Sequence, residues 1–138
     1  MRLGIVASRF NEAIAAELLQ RAQGAARQLG VEASVVSVPG ALEIPLALQW
    51  MAQSGRFDAL AAVGVVIRGE TYHFEIVAGE SARGIMALTM DGIAVGNGVL
   101  TVENEAQALV RADPAQLNKG AGAAEAAMAL LAVQEKFQ

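Results

Sequence analysis

The sequence has no cysteine and only one histidine, His73, in 138 residues. The absence of cysteine excludes disulfide bonds, thiolate zinc sites and a cysteine nucleophile. A single histidine excludes a metal site built from several histidines of one chain. Aromatic residues are also scarce, at 4% of the chain (four Phe, one Trp and one Tyr). These absences leave few side chains on which a catalytic or binding site can be built.

Charged residues make up 17% of the chain, against about 25% in average soluble domains. The net charge of −4, from 10 Lys and Arg against 14 Asp and Glu, disfavours a general nucleic-acid surface. Apolar residues make up 54%, and a chain so apolar and so weakly charged collapses rather than staying disordered. We therefore expect a folded protein without a nucleic-acid partner.

Long apolar runs are missing too. The longest stretch without a charge, Ile44–Gly55, covers 12 residues, whereas a transmembrane helix needs about 20. The apolar run Leu3–Ala7 is too short for the core of a signal peptide. We therefore expect no membrane partner and a cytoplasmic location. The length corresponds to one domain over residues 1–138.

Short apolar runs alternate with segments of helical periodicity along the whole chain. Strands are predicted at Leu3–Ala7, Ala33–Val38, Ala59–Ile67 and Ile93–Leu100. Helices are predicted at Glu12–Leu29, Leu42–Ser54, Phe74–Met90, from Asn104 to near Arg111, and at Lys119–Lys136. This alternation predicts an α/β fold with a parallel sheet, right-handed crossovers and helices on both faces.

Helix starts and stops support these boundaries. The first helix places Ile14, Leu18, Ala22, Ala25 and Leu29 on one face. Its predicted N-cap is Asn11 and its left-handed C-terminal glycine is Gly30. Pro45 fits the first turn of the second helix, and Asn104 with Gln107 resembles a capping box.

The last predicted helix has almost no polar face. Its apolar residues include Ala123, Ala124, Ala126, Ala127, Met128, Leu130 and Leu131. A helix that is apolar all round must be covered on more than one side. We therefore expect a subunit of an oligomer rather than a monomer.

The polar and aromatic residues of this apolar chain cluster after the strands. The segments concerned are Ser8–Asn11, Pro39–Glu43, Arg68–His73 and Thr101–Asn104. In parallel sheets, ligands bind beyond the carboxyl ends of the strands. We therefore expect the functional site at this edge.

His73 and the turn before it are the first candidates. Histidine exchanges protons near neutral pH, which suits a proton shuttle, although a helix-start histidine bound to a backbone carbonyl fits equally well. Gly69, Glu70 and Thr71 precede a helix and can cradle an anion, or form an ordinary capped turn. Neither GxGxxG nor a Walker lysine pattern is present, so a small phosphate ester fits better than a nucleotide.

Five other residues have two interpretations each. Arg111, Lys119 and Arg68 can bind phosphate or can be surface cations. Phe10 can stack on a planar ring or pack against a neighbour. Glu43 can bind a polyol or heterocycle, or can be a helix-start glutamate favoured by the helix dipole. Together these residues favour a small phosphorylated ligand with a planar partner.

Several motifs resemble one known family over nearly the whole chain. They are Arg9-Phe10-Asn11, Val38–Pro45, Gly64–Phe74, Gly98–Asn104 with Gln107-Ala108, Arg111-Ala112, and Asn118-Lys119-Gly120. In order and spacing they closely resemble the lumazine synthases. The resemblance implies a three-layer αβα sandwich of flavodoxin-like type with a four-stranded parallel sheet.

The resemblance also implies the penultimate step of riboflavin biosynthesis. Lumazine synthases condense 5-amino-6-(D-ribitylamino)uracil with 3,4-dihydroxy-2-butanone 4-phosphate. An imine forms, phosphate is eliminated, the ring closes and water leaves, without a metal or organic cofactor. Two other classes remain as alternatives, a non-catalytic flavin- or lumazine-binding protein and a structural shell protein.

Site roles follow from the same resemblance. Substrate binding is implied for Phe10, Asn11, Gly40, Ala41, Leu42, Glu43, Val65, Val66, Ile67, Asn97 and Lys119. Phe10 would stack on the pyrimidine, and residues 65–67 would bind through backbone groups. Thr71, Arg111 and the amide N–H of Glu70 would bind phosphate. His73 would be the general acid and base.

The family also implies self-association. Its members form pentamers, decamers of stacked pentamers, or 60-subunit shells, with active sites between adjacent subunits. His73 would come from one subunit, and Asn97 and Arg111 from the next. Two features depart from the family. Asn97 replaces a common Phe, and the chain starts at its first strand, without the additional strand by which many members extend a neighbour's sheet. We therefore expect a homopentamer, with the decamer and the shell as alternatives.

Overall fold

Four parallel strands form the central sheet of the computed structural model, which describes residues 1–138. They are β1 (Arg2–Ser8), β2 (Glu32–Val38), β3 (Ala59–Ile67) and β4 (Val95–Val102), in the order β2-β1-β3-β4. Five helices connect and follow them: α1 (Glu12–Gln28), α2 (Ile44–Gln53), α3 (His73–Met90), α4 (Glu105–Ala112) and α5 (Lys119–Glu135). A 3-10 turn, Ala41–Glu43, precedes α2.

Strand β3 determines the layers, because it is apolar on both faces. Alternate residues Ala61, Val63 and Val65 belong to a core shared with α1, α4 and α5. Leu60, Ala62 and Val66 belong to a second core shared with α2 and α3. The predicted three-layer αβα fold with a four-stranded parallel sheet is thereby confirmed. None of the helices has the length and apolar character needed to cross a membrane.

The predicted bounds of β3 are confirmed, whereas β4 begins and ends two residues later than predicted. The N–H of Ile93 donates to the carbonyl of Leu88, so Ile93 completes the turn that ends α3. Its apolar side chain packs against the α2–α3 core without joining the sheet. At the other end, Thr101 and Val102 pair with Val66 and Ile67.

Helix α1 begins at Glu12 as predicted and ends at Gln28, one residue earlier than predicted. Asn11 occupies the N-cap, but with a left-handed backbone (φ 59°) and no capping hydrogen bond from its side chain. Leu29 does not join the buried face. It follows the last helical residue and is 50% exposed. The left-handed residue Gly30 (φ 72°) is confirmed. The prediction that Leu29 lies on the buried face is wrong, because the helix ends before this residue and helical periodicity no longer applies to it.

The residues predicted to start two other helices, α2 and α4, are at the starts of those helices. Pro45 lies in the first turn of α2, as predicted, although a 3-10 turn replaces the predicted first residues. Asn104 Oδ1 accepts the N–H of Gln107 at 2.9 Å. In return, Gln107 Oε1 accepts the N–H of Glu103 at 2.8 Å, one residue earlier than in a standard capping box. The predicted cap at Asn104 is confirmed.

Helix α5 lies on β4 with almost no side chain between the two backbones. A Cβ added at Gly96 would collide with the backbone of Ala123 and, at 2.9 Å, with the nitrogen of Ala127. One added at Gly98 would lie 2.8 Å from the Cβ of Ala123. Close approach therefore explains the glycines of this strand.

The opposite face of α5 is exposed in the single chain and includes Ala126, Ala129, Leu130 and Val133. Exposed apolar side chains also occur on the other helices, at Leu46, Trp50, Met86, Met90, Leu109 and Val110. The 63% exposure of Trp50 and the 80% exposure of Met90 are high for such large side chains. The chain alone does not cover the apolar surface that its composition provides.

We expect Gly96→Ala to lower the free energy of unfolding by about 1–3 kcal/mol, the usual loss on overpacking. The added methyl group meets backbone, which cannot rotate away. Denaturant titration measures the change. Gly122→Ala in α5 is the matched control, because its added methyl group has no neighbour within 4 Å. Equal losses in the two variants would show that the β4–α5 approach is not the cause.

Candidate functional site

A cleft of about 590 Å³ opens at the carboxyl edge of the sheet. Its walls come from the loop after β1, the turn before α2, the end of β3 and the start of α3. Ten of the predicted site residues line it: Phe10, Gly40, Ala41, Leu42, Glu43, Val65, Val66, Ile67, Thr71 and His73. Three of the four predicted segments therefore contribute to one cleft, whereas Thr101–Asn104 does not line it.

The sequence interpretation missed three lining residues, Pro39, Phe74 and Val77. Val77 lies one helical turn after His73, and residues four apart share a helix face. Phe74 adjoins His73. Helical spacing counted from His73 was the signal that could have found Val77.

Phe10 projects from the loop after β1 and is 62% exposed. It does not belong to either buried core. The ring therefore does not pack into either core, and its stacking on a planar ligand stays a prediction. An exposed ring at the mouth of a cleft offers a face to a planar ligand.

The turn before α2 is closed by a side chain of its own. The N–H of Gly40 donates to Glu43 Oε1 at 2.9 Å. This bond holds the Glu43 carboxylate at the start of the turn while Glu43 also lines the cleft. The remaining lone pairs of the carboxylate can accept hydrogen bonds from a ligand.

His73 is the first residue of α3 and is exposed at the cleft. Its backbone N–H donates to Thr71 Oγ1 at 3.3 Å. Its imidazole forms no hydrogen bond within the chain, so the alternative of a histidine bound to a backbone carbonyl is not observed. Both ring nitrogens are free to exchange a proton with a bound molecule.

Arg68 is not a free cation. Its guanidinium donates to the carboxylates of Glu75 and Glu103 and lies 4.4 Å from the centroid of the Phe74 ring. The hydrogen bonds to Glu75 and then to Glu103 raise the pKa of Arg68, and the bond from Arg68 lowers the pKa of Glu75. Because the pKa of Glu75 is lowered, the pair is intact at neutral pH and is lost only as the pH falls through that lowered value.

Three of the predicted residues do not reach the cleft of their own chain. Arg111 donates to the carbonyl of Gln107 at 3.0 Å in the last turn of α4. Asn97 is exposed on the edge strand β4, where its Oδ1 accepts the N–H of Val99 at 3.0 Å. Lys119 is exposed at the first position of α5.

Two further residues are near the cleft without lining it. Glu70 is exposed in the turn before α3. Asn11 adjoins Phe10, and its Nδ2 is buried without a hydrogen-bond partner. No group of three or more His, Asp or Glu side chains is arranged to hold a metal ion.

Comparison with known proteins gives one consistent result. A family model described as 6,7-dimethyl-8-ribityllumazine synthase matches residues 1–135. A protein of that name from Novosphingobium aromaticivorans is 62% identical over 96% of this chain and 96% of its own length. Another from Erythrobacter litoralis is 60% identical over 99% of this chain and 97% of its own. One from Zymomonas mobilis is 58% identical over 96% of each chain.

Proposed function

Because the chain belongs to the 6,7-dimethyl-8-ribityllumazine synthase family, we propose that the cleft beside His73 is its active site. The protein is a transferase of riboflavin biosynthesis. It condenses 5-amino-6-(D-ribitylamino)uracil with 3,4-dihydroxy-2-butanone 4-phosphate and releases phosphate and water. One observation carries the proposal. Segments 9–11, 38–45 and 64–74, distant in sequence, contribute the walls of a single cleft.

The aromatic and backbone groups of the cleft bind the pyrimidine substrate. Phe10 stacks on the pyrimidine ring, and Asn11 belongs to the same substrate-binding loop. The backbone of residues 65–67 binds the heterocycle edge at the end of β3, and residues 40–43 bind the ribityl chain, with the Glu43 carboxylate accepting hydroxyl protons. The exposure of Phe10 and the cleft position of these segments support these roles.

The turn between β3 and α3 binds the phosphate ester. Thr71 donates its hydroxyl, and Glu70 donates its amide N–H, because its carboxylate repels phosphate. The N–H of Phe74, which has no hydrogen-bond partner in the first turn of α3, adds to the attraction. Arg68 is committed to two carboxylates, so the guanidinium for this phosphate must come from elsewhere. Arg111 is the cation that fills this role.

His73 moves protons during the condensation. The amine of the pyrimidine attacks the ketone carbon and water leaves to form the imine. Removal of a neighbouring proton expels phosphate and leaves an enol, which protonation converts to a ketone. The ribitylamino nitrogen then attacks this ketone, and the ring closes with loss of water. The nucleophile belongs to the substrate, so the protein need only orient two molecules and shuttle protons. The unbonded imidazole of His73 is placed for that task.

Active sites lie between subunits of a homopentamer. Asn97, Arg111 and Lys119 do not line the cleft of their own chain, so a neighbouring subunit supplies them. Apolar residues exposed on α2, α3, α4 and α5 provide the contact surface, and a pentamer covers them. Decamers and 60-subunit shells are the alternatives that a mass measurement distinguishes from it.

We further propose that the enzyme works in the cytoplasm. Both substrates are strongly polar and one carries a phosphate. Such molecules cross a bilayer poorly, because burying their polar groups is costly. They are therefore retained in the compartment in which they are made.

Mixing the protein with both substrates tests the proposed function through the absorbance of the lumazine product. We expect the wild type to accelerate its appearance over the uncatalysed background. His73→Ala is expected to lower kcat by about 100-fold or less, the usual range for general acid–base catalysis. A wild type no faster than buffer would contradict the proposed activity, and an unaltered kcat in His73→Ala would remove His73 from the site.

Arg111→Ala is expected to lower kcat/KM by about 100-fold or more, since a charge-assisted contact to the phosphate is lost. Steady-state kinetics with the phosphate substrate varied measures the effect. Arg27→Ala is the matched control, because Arg27 is also a basic residue in the last turn of a helix. Equal kinetics in the two variants would exclude Arg111 from phosphate binding.

Refolding His73→Ala and Arg111→Ala subunits together in equal amounts tests the shared site. Each site needs an intact His73 from one subunit and an intact Arg111 from the next. Random assembly then restores about one quarter of the sites, and the mixture recovers activity that neither variant has alone. Activity equal to the mean of the two variants would place both residues in the same subunit's site. Native mass spectrometry of the mixture gives the subunit number.

A further inference from the structure

Arg68 is the point at which three parts of the active-site edge meet. Its backbone N–H donates to the carbonyl of Val102 at 2.9 Å, which extends the β3–β4 pairing by one residue. Its guanidinium then contacts Glu75 in the first turn of α3 and Glu103 before α4. The same group lies over the Phe74 ring at 4.4 Å. One side chain therefore joins the ends of two strands to the start of a helix.

The turn of residues 69–72 has no other such anchor. The N–H of His73 donates to Thr71 Oγ1 at 3.3 Å, and the N–H of Glu75 donates to the carbonyl of Tyr72 at 3.1 Å. Both bonds are local to the turn and to α3. No hydrogen bond joins residues 69–72 to any other element of the chain. Apart from the chain connections to β3 and the packing of α3 on the sheet, the contacts of Arg68 are what locate the turn.

The other ion pairs of the chain each lie within a single helix. Glu17 with Arg21 lies within α1, and Glu80 with Arg83 lies within α3. Each of these joins neighbouring turns of one helix. The two pairs of Arg68 span 7 and 35 residues and join separate elements. A planar guanidinium can make both contacts at once in a fixed geometry, which an ammonium group cannot.

We propose that Arg68 is a positioning residue of the synthase reaction, which holds Thr71 and His73 in place through Glu75, Glu103 and Phe74. This inference rests on the proposed site. Arg68 does not line the cleft, and both of its carboxylate partners are already bound, so it acts through the turn rather than on the substrate. The side chain is 40% exposed, and exposed ion pairs contribute little to stability. We therefore expect the loss of Arg68 to displace Thr71 and His73 rather than to unfold the chain. Small displacements of catalytic groups lower the reaction rate strongly.

Kinetics of Arg68→Ala, with Arg83→Ala as the matched control, tests the inference. Arg83 is also an arginine paired with a glutamate of α3, but its pair is confined to the helix. We expect Arg68→Ala to lower kcat/KM by about tenfold or more, with a melting temperature within about 4 °C of the wild type. Arg83→Ala should retain wild-type kinetics. Equal kinetics in the two variants would overturn the inference.

A double-mutant cycle with His73→Ala separates positioning from direct binding. If Arg68 acts by placing His73, Arg68→Ala lowers kcat much less when His73 is already absent, by about twofold or less. Equal fold losses in both backgrounds would show that Arg68 works independently of His73, which contradicts the inference. Arg68→Lys keeps the positive charge but loses the planar guanidinium that contacts both carboxylates. We expect its kcat/KM to lie between those of the wild type and Arg68→Ala.

Glu103→Gln keeps the inference testable if the Arg68→Ala variant does not fold. It removes one charged anchor and leaves Arg68 in place, so a smaller loss in the same direction is expected. Wild-type kinetics in both Glu103→Gln and Arg68→Lys would overturn the inference. Full activity in both His73→Ala and Arg111→Ala would instead contradict the proposed active site itself. If they lose activity and Arg68→Ala does not, only the role of Arg68 is wrong.

Discussion

Strand β3 must be covered on both faces, because none of its nine residues has a polar side chain. Covering it requires helices above and below the sheet, and this requirement produces the two separate cores. Polar side chains then have no place along β3, and those of the segment after it, Arg68–His73, begin where the strand ends. Since all four strands are parallel, their carboxyl ends share one edge. The cleft therefore lies at this edge because the polar side chains that line it cannot be placed along the buried strand β3.

Features that depend on local sequence could be predicted from it. The bounds of β3, the glycine after α1, the proline of α2 and the cap at Asn104 all follow from residues within a few positions of each other. The errors occurred where a distant contact or a local backbone conformation decided the outcome. Ile93 is apolar because it lies against a core, although it is outside the sheet.

The same distinction applies to the site. Motifs identified the residues that line the cleft, since each motif follows a strand and the topology assembles them. Arg68 kept two interpretations, because its partner Glu103 is 35 residues away and sequence spacing contains no information on that contact. Residue spacing also gave no sign that Arg111 and Asn97 lie away from the cleft of their own chain, and only the family resemblance implied it. In the folded chain neither residue lines that cleft.

The contact of α5 with β4 has a mechanical consequence. Side chains between two elements absorb small displacements by changing rotamer, but backbone against backbone offers no such compliance. At Gly96, where the Cβ position meets the backbone of Ala123 and Ala127, no side chain is available to take up a shift between α5 and β4. A displacement of α5 is therefore harder to absorb at this contact than at one made by side chains, and the neighbouring strand β4 leads directly to Glu103, the partner of Arg68.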